Sequence, residues 1–116
     1  MQLLHNPRCS KSREALTALT AKGLQPEIID YLKTPLDEEQ IRQLLNQLNI
    51  SALALVRSKE TLWQEQYAAQ ALDDTAIIAL LAEHPTLIER PILIYQGRAA
   101  IGRPLENIFT LLDTPV

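Results

Sequence analysis

The chain has 116 residues, of which 47% are hydrophobic and 22% are charged, with seven Pro and only three Gly. This composition is typical of a soluble globular protein, and it excludes a disordered or collagen-like chain. The length suits one domain, 1–116. The formal charge of −3 argues against a general electrostatic grip on nucleic acid or anionic lipid, so any anion site must be local.

Further classes of protein are excluded by what the sequence lacks. No apolar run approaches the roughly 18 residues of a membrane span. The start Met1–His5 lacks the basic residues and long apolar segment of a signal peptide, so we expect a cytoplasmic protein. The single cysteine, Cys9, rules out an internal disulfide framework, and with two distant His residues no metal site is expected. The scattered aromatic residues argue against a stacking platform for nucleic acid.

The first third of the chain predicts a strand, a helix and a second strand. Residues 2–5 form a short apolar start, and 10–22 carry apolar residues at helical spacing before Gly23, which suits a helix end. Residues 27–31 look extended. A β-α-β beginning requires a sheet that later strands complete.

The middle of the chain predicts helices. Asp37 and Gln40 have the spacing of a capping box, and the apolar stripe after them predicts a helix through about Leu48. Weaker, Ala-rich signals predict short helices at 51–56 and 62–71.

The last third predicts a helix, a hairpin and a final helix. These elements are a helix over 75–83 that ends at His84-Pro85, strands at 92–95 and 99–101 joined by the turn 96–98, and a helix from Pro104 to about Leu112. The sum is a small mixed four-stranded sheet with flanking helices and a helical insertion between strands 2 and 3. This outline is a thioredoxin-like α/β fold.

The segment around Cys9 carries the main chemical signal. Cys9 lies between the first strand and the first helix, with Arg8, Lys11 and Arg13 within four positions. A helix N-terminus and adjacent cations favour thiolate over thiol, and they also attract an oxyanion. The pattern indicates attack by sulfur on a small tetrahedral oxyanion or on a disulfide. The alternative is a buried, inert cysteine, but Pro7 and the polar neighbours argue against burial.

Two related thiol motifs are absent. A Cys-x-x-Cys pair would need a second cysteine where the chain has Ser12, so an outside thiol must resolve any oxidised sulfur. A phosphatase-like Cys-x5-Arg loop would need arginine at Ala15, and Arg13 gives a Cys-x3-Arg spacing instead. His5 has two interpretations that stay open, a hydrogen-bonded residue at a strand end or a residue that tunes Cys9.

Three further arginines are candidates for oxyanion binding. Arg90 and Arg103 each precede a proline and flank the predicted hairpin, so their loops could share the end of the sheet near Cys9. Arg57 is a third candidate. Planar guanidinium groups suit bidentate binding of an oxyanion, although surface arginines are usually solvated and each of the three is by itself a weak candidate.

Four segments of the chain, taken together, resemble a known family. They are His5-Asn6-Pro7-x-Cys9 with Arg13, Leu53-x-Leu55-x-Arg57, His84-Pro85-x-Leu87-Ile88-x-Arg90-Pro91-Ile92, and Gly102-Arg103-Pro104. In this order they resemble the glutaredoxin-coupled arsenate reductase family, the ArsC type of the ArsC/Spx superfamily, whose fold is thioredoxin-like. The match spans nearly the whole chain, although the chain looks like a short version without the C-terminal extension of longer members.

The resemblance implies a role for each matching residue. It implies that Cys9 is the nucleophile, that His5, Ser12 and Arg13 support its ionisation and its loop, and that Arg57, Arg90 and Arg103 bind the oxyanion. It also implies a cis peptide before Pro91 that faces the thiol.

The implied reaction is the reduction of arsenate to arsenite, a step in arsenic detoxification. Cys9 thiolate would form an arsenic(V) adduct, glutathione would join as co-substrate, and glutaredoxin would resolve the mixed disulfide, with no bound cofactor. Phosphate has nearly the shape and charge of arsenate and is another possible ligand. Two alternatives remain open: an Spx-like regulatory module that binds RNA polymerase, and a glutathione-dependent monothiol oxidoreductase with another substrate.

Overall fold

The structure, a computed structural model, describes residues 1–114, which fall into two compact units. The first unit joins Met1–Lys33 to the described residues from Arg90 onward, and the second is Thr34–Glu89. The predicted domain 1–116 ends with Pro115 and Val116, which lie outside the described residues. Within the described part of the chain, no helix has the length and apolar character that a membrane crossing requires.

The first unit is a four-stranded sheet with two helices. In chain order its elements are β1 (Gln2–Leu4), α1 (Ser10–Ala21), β2 (Glu27–Ile29), β3 (Ile92–Tyr95), β4 (Arg98–Ile101) and α6 (Glu106–Asp113). The strand order is β2-β1-β3-β4, with β1 and β2 parallel and the other neighbouring pairs antiparallel. Leu3 lies opposite Ile28 on one side and Leu93 on the other. This mixed sheet with flanking helices confirms the predicted fold class.

The core of the first unit packs α1 and α6 on the sheet. Six residues form a continuous buried cluster: Leu3, Ala15, Leu19, Leu93, Ile108 and Leu111. Burying a leucine or isoleucine side chain contributes roughly 1.5–3 kcal/mol, so this cluster stabilises the packing of the two helices on the sheet.

Gly102 lies where the chain after β4 passes close to α6. A Cβ atom there would lie 2.6 Å from Ile108 Cδ1 and 3.0 Å from Pro91 Cγ, closer than carbon atoms pack. The absence of a side chain therefore lets residue 103 approach the end of the sheet.

The second unit is the helical insertion between β2 and β3. Its elements are α2 (Glu38–Leu48), α3 (Ala52–Leu55), α4 (Thr61–Gln66), α5 (Asp74–Glu83) and a 3₁₀ helix (Pro85–Leu87). The capping box of α2 is confirmed, because Asp37 Oδ1 accepts from the Gln40 N–H at 2.8 Å and Gln40 Oε1 accepts from the Asp37 N–H at 2.9 Å. Both α2 and α3 pack against α5.

Two predicted helices have wrong limits. The helix predicted at 62–71 ends at Gln66, because the alanines after it are exposed and no apolar stripe holds them against a core. The helix predicted to start at Pro104 begins at Glu106, because the first bonds of this turn run from the Asn107 N–H to the Pro104 carbonyl and from the Ile108 N–H to the Leu105 carbonyl, with i to i+3 spacing.

The limits of the strands are shifted by smaller amounts. The strand predicted to extend to Tyr31 ends at Ile29, where its partner β1 also ends. The hairpin turn is shorter than predicted, because Gln96 and Gly97 both have positive φ, 53° and 75°, as a two-residue turn between antiparallel strands requires. Arg98 therefore belongs to β4.

Candidate active site

The loop 5–9 connects β1 to α1 and places Cys9 at the N-terminus of the helix. The His5 N–H donates to the Ile29 carbonyl at 3.2 Å, which holds the start of the loop against β2. The Cys9 N–H donates to the Asn6 carbonyl at 3.0 Å, so the chain turns tightly around Pro7. Cys9 is the N-cap residue of α1 with extended backbone, which directs its side chain toward the free N–H groups of the first helical turn.

A buried polar network lies beneath this loop. Ser12 is fully buried, and its Oγ lies 2.6 Å from His5 Nδ1 while it accepts from the Asn6 N–H at 3.0 Å. Burial lowers the pKa of His5 below 6.5, a nearby Asp30 opposes this shift, and Arg13 reinforces it. His5 is thus a hydrogen-bonded residue at the end of a strand, and a role in tuning Cys9 stays a prediction.

Asn6 has a structural role that was not among the predicted site residues. It is buried, its carbonyl accepts from the Cys9 N–H, and its Oδ1 accepts from the Arg8 N–H at 3.0 Å. An Asn-Pro pair directly after a strand is a known turn signal, so this role was readable from the sequence.

The Cys9 sulfur is partly buried and lies beside two guanidinium groups. Arg103 Nη2 donates to Cys9 Sγ at 3.3 Å. Burial raises the pKa of the Cys9 thiol, whereas the backbone N–H of Ser12, the Arg90 side chain and the backbone N–H of Lys11 lower it. The stabilising groups outweigh burial, and the pKa falls from 9.0 to about 7. Near pH 7 a large fraction of this cysteine is therefore thiolate, the reactive form.

The two Arg-Pro segments lie together beside the sulfur. Arg90–Pro91 and Arg103–Pro104 are both cis peptide bonds. Arg103 Nε donates to the Arg90 carbonyl at 2.7 Å, and the Gly102 N–H donates to the Pro91 carbonyl at 2.8 Å. These bonds join the two segments at one end of the β3–β4 hairpin and fix the direction of the Arg103 side chain.

The remaining two predicted site residues have other contacts. The exposed Arg13 donates from Nη1 to the Pro7 carbonyl at 3.0 Å, so its contact is with the loop backbone. Arg57 belongs to the second unit, where its Nε lies 3.6 Å from Glu60 Oε1 and its N–H donates to the Leu87 carbonyl at 2.6 Å. An oxyanion-binding role for Arg57 stays a prediction.

This arrangement puts a thiol of lowered pKa beside two guanidinium groups. A thiolate at a helix N-terminus can attack an electrophilic centre, and Arg90 and Arg103 can neutralise the oxygens around that centre. Among residues 1–114, no three His, Cys, Asp or Glu side chains are grouped as a metal site would require.

Comparison with known proteins identifies the family. The ArsC family model matches residues 4–111. An arsenate reductase of Neisseria meningitidis is 43% identical over 97% of both chains, and an Escherichia coli K12 arsenate reductase is 32% identical over 95% of this chain and 79% of its own length. A solved arsenate reductase structure from Vibrio cholerae superposes with a TM-score of 0.90, at 42% identity over 94% of both chains. The chain belongs to the ArsC family.

Proposed function

We propose that this protein is an arsenate reductase that works through a Cys9 thiolate adduct and takes its electrons from glutathione and glutaredoxin. The observation that carries the proposal is the contact of Arg103 Nη2 with Cys9 Sγ at 3.3 Å beside Arg90, which puts two guanidinium groups next to a thiol of lowered pKa. The family relatives named arsenate reductase support the choice of oxyanion.

The first step joins sulfur to arsenic. Cys9 thiolate attacks arsenic, a sulfur–arsenic(V) bond forms, and one arsenate oxygen takes up protons and leaves as water. Arg90 and Arg103 stabilise the negative charge on the remaining oxygens. Removing one such donor from an enzyme site typically lowers the rate by about 10²–10³-fold.

The second step reduces arsenic. A glutathione thiol attacks the Cys9 sulfur, a disulfide bond forms, and the sulfur–arsenic bond breaks with its electron pair left on arsenic. Arsenic(V) thereby gains two electrons and leaves as arsenite with the thiol proton, while the two sulfurs lose two electrons. Because the chain has a single cysteine, the Cys9–glutathione disulfide needs an outside thiol, and we assign that role to glutaredoxin. Such chemistry suits the reducing cytoplasm.

The test is arsenate-dependent consumption of NADPH in a coupled assay with glutathione, glutaredoxin and glutathione reductase. We expect turnover by the wild-type protein and a loss of more than about 10³-fold in Cys9→Ser. Ser10→Ala, which alters an exposed neighbour on the same helix, is the matched control and should keep the wild-type rate. Folded wild-type protein without arsenate-dependent turnover would refute the proposal.

A monothiol oxidoreductase is the second candidate, favoured by the lowered pKa of the single thiol. It predicts that the protein reduces a model glutathione mixed disulfide in a Cys9-dependent way whether or not arsenate is present. The same coupled assay, run with that disulfide in place of arsenate, separates the two functions.

A further inference from the structure

A cavity of about 370 Å³ lies within the first unit. It is lined by residues 102–106 together with Lys11 and Glu14. Arg103 belongs to its wall, and the same side chain donates to Cys9 Sγ. The cavity therefore begins next to the group that contacts the reacting sulfur, and its volume is within the range of roughly 300–1,000 Å³ that holds small ligands.

The lining of this cavity carries both signs of charge. Lys11 and Arg103 are cationic, Glu14 and Glu106 are anionic, and the segment between Arg103 and Glu106 is apolar. Lys11 Nζ lies 3.6 Å from Glu14 Oε2, with both side chains more than half exposed. An exposed pair of this kind is weak, so Lys11 can exchange its partner for a ligand carboxylate at little cost.

A bare tetrahedral oxyanion matches this lining poorly, because the two carboxylates would repel it. A small molecule that carries carboxylates and an ammonium group matches it well, since each charge finds an opposite partner. The single cysteine adds a second requirement, because its oxidised sulfur has to be reduced by a thiol from outside the chain.

We propose that this cavity is the binding subsite of the thiol co-substrate, a small zwitterionic peptide thiol of the glutathione class, with Lys11 contacting a carboxylate and Glu106 the ammonium group. The inference rests on the proposed function only in that Cys9 cycles through a disulfide with an outside thiol. The bound thiol attacks the Cys9 sulfur and forms a disulfide with it. The bond between the Cys9 sulfur and the oxidised group attached to it breaks, and that group leaves with the electron pair.

The test needs no arsenate, so its outcome is independent of the substrate assignment. Oxidised glutathione reacts with Cys9 thiolate to form the mixed disulfide, and one glutathione thiolate leaves. The rate constant of this reaction is measured by mass spectrometry and is compared with that for 2-hydroxyethyl disulfide, an uncharged reagent that reports only the reactivity of the sulfur.

For Lys11→Glu we expect the ratio of the two rate constants, oxidised glutathione over 2-hydroxyethyl disulfide, to fall about five- to tenfold. Lys33→Glu makes the same change of net charge at an exposed residue outside the cavity, and it should leave the ratio near the wild-type value. An equal fall in both lysine variants, or no fall in Lys11→Glu, would overturn the proposal.

Glu106→Gln separates a built subsite from simple charge attraction. Removing a negative charge should speed the reaction of an anionic disulfide if attraction alone operates, whereas loss of the ammonium partner should slow it about two- to fivefold. A rate with oxidised glutathione that is unchanged or faster in Glu106→Gln would overturn the proposal. Arsenate turnover combined with that result would leave the proposed function standing without this subsite.

Discussion

The two units of this protein bury different kinds of side chain. In the second unit, the buried side chains among the described residues are hydrophobic. In the first unit a hydrophobic core is accompanied by buried polar or charged side chains, which are His5, Asn6, Ser12 and Arg90. All of these lie in the loop and helix that carry Cys9 or in the Arg90 segment beside it.

The buried polar side chains of the first unit surround its reactive thiol. Buried polar groups cost free energy unless each finds a partner, and a chain selected for stability alone would fill these positions with apolar residues. The first unit instead keeps a hydrogen-bonded set that shapes the loop 5–9 and holds a guanidinium group near sulfur. Substitutions at the buried apolar positions of the second unit should therefore change stability alone, and those around Cys9 should change activity.

The largest expected effect on stability is in the second unit. Leu81→Ala removes a side chain that is 1% exposed on α5, so it should lower the free energy of unfolding by about 2–5 kcal/mol. Urea unfolding measures this change. Leu53→Ala, at a residue of the same unit that is 56% exposed, should change it by less than about 0.5 kcal/mol. If Leu81→Ala is folded at the assay temperature and yet has lost activity with arsenate, the second unit contributes to activity as well as to stability, against our expectation.

Arg103→Ala should have a large effect on activity and a small effect on stability, the reverse of Leu81→Ala. Loss of the guanidinium group beside Cys9 Sγ should lower kcat/KM for arsenate about 10²-fold or more, while the free energy of unfolding falls by no more than about 1.5 kcal/mol. Steady-state kinetics and urea unfolding on the same preparation test both parts. Arg42→Ala, an exposed arginine on α2, is the matched control. Equal kinetic losses in the two variants would remove Arg103 from the site.

Ser12→Ala should lower both the free energy of unfolding and the turnover rate, because Ser12 is buried and also holds the loop. Without its hydroxyl group, His5 Nδ1 and the Asn6 N–H lose their shared partner, which should cost about 1–3 kcal/mol of unfolding free energy. The loosened loop should also reduce turnover. Ser10→Ala, at the exposed start of the same helix, should change neither quantity, and a Ser12→Ala protein with wild-type stability would show that the network is not structural.

Local sequence patterns predicted the parts of this site that are built from neighbouring residues. Cys9 at the start of α1 and the hairpin between Arg90 and Arg103 were readable because strand, helix and turn signals act over a few residues. The contact between Arg103 and Cys9 joins residues 94 positions apart. No local pattern encodes that contact. The two Arg-Pro pairs suggest only that their loops share the end of the sheet near Cys9, and the family resemblance implies only that Arg103 binds the oxyanion.

Other predictions depend on the tertiary structure in the same way. Arg13 contacts the loop, as expected, through its bond to the Pro7 carbonyl, and its support of the thiolate stays a prediction. The helix expected through Ala71 ends at Gln66, because alanine favours a helix only weakly when no packing partner is present. The alanine-rich composition of this segment does not show where the helix ends.

The surroundings of Cys9 hold it as a thiolate near neutral pH, and a pH titration of the thiolate absorbance measures this property. Because thiolate is the deprotonated form, its absorbance rises with pH, and we expect a midpoint near the pKa of about 7. The rate of alkylation of Cys9 should rise over the same pH range. A midpoint at the ordinary value of 9.0 would show that the neighbouring groups do not stabilise the thiolate, since the thiol would then be mostly protonated at neutral pH.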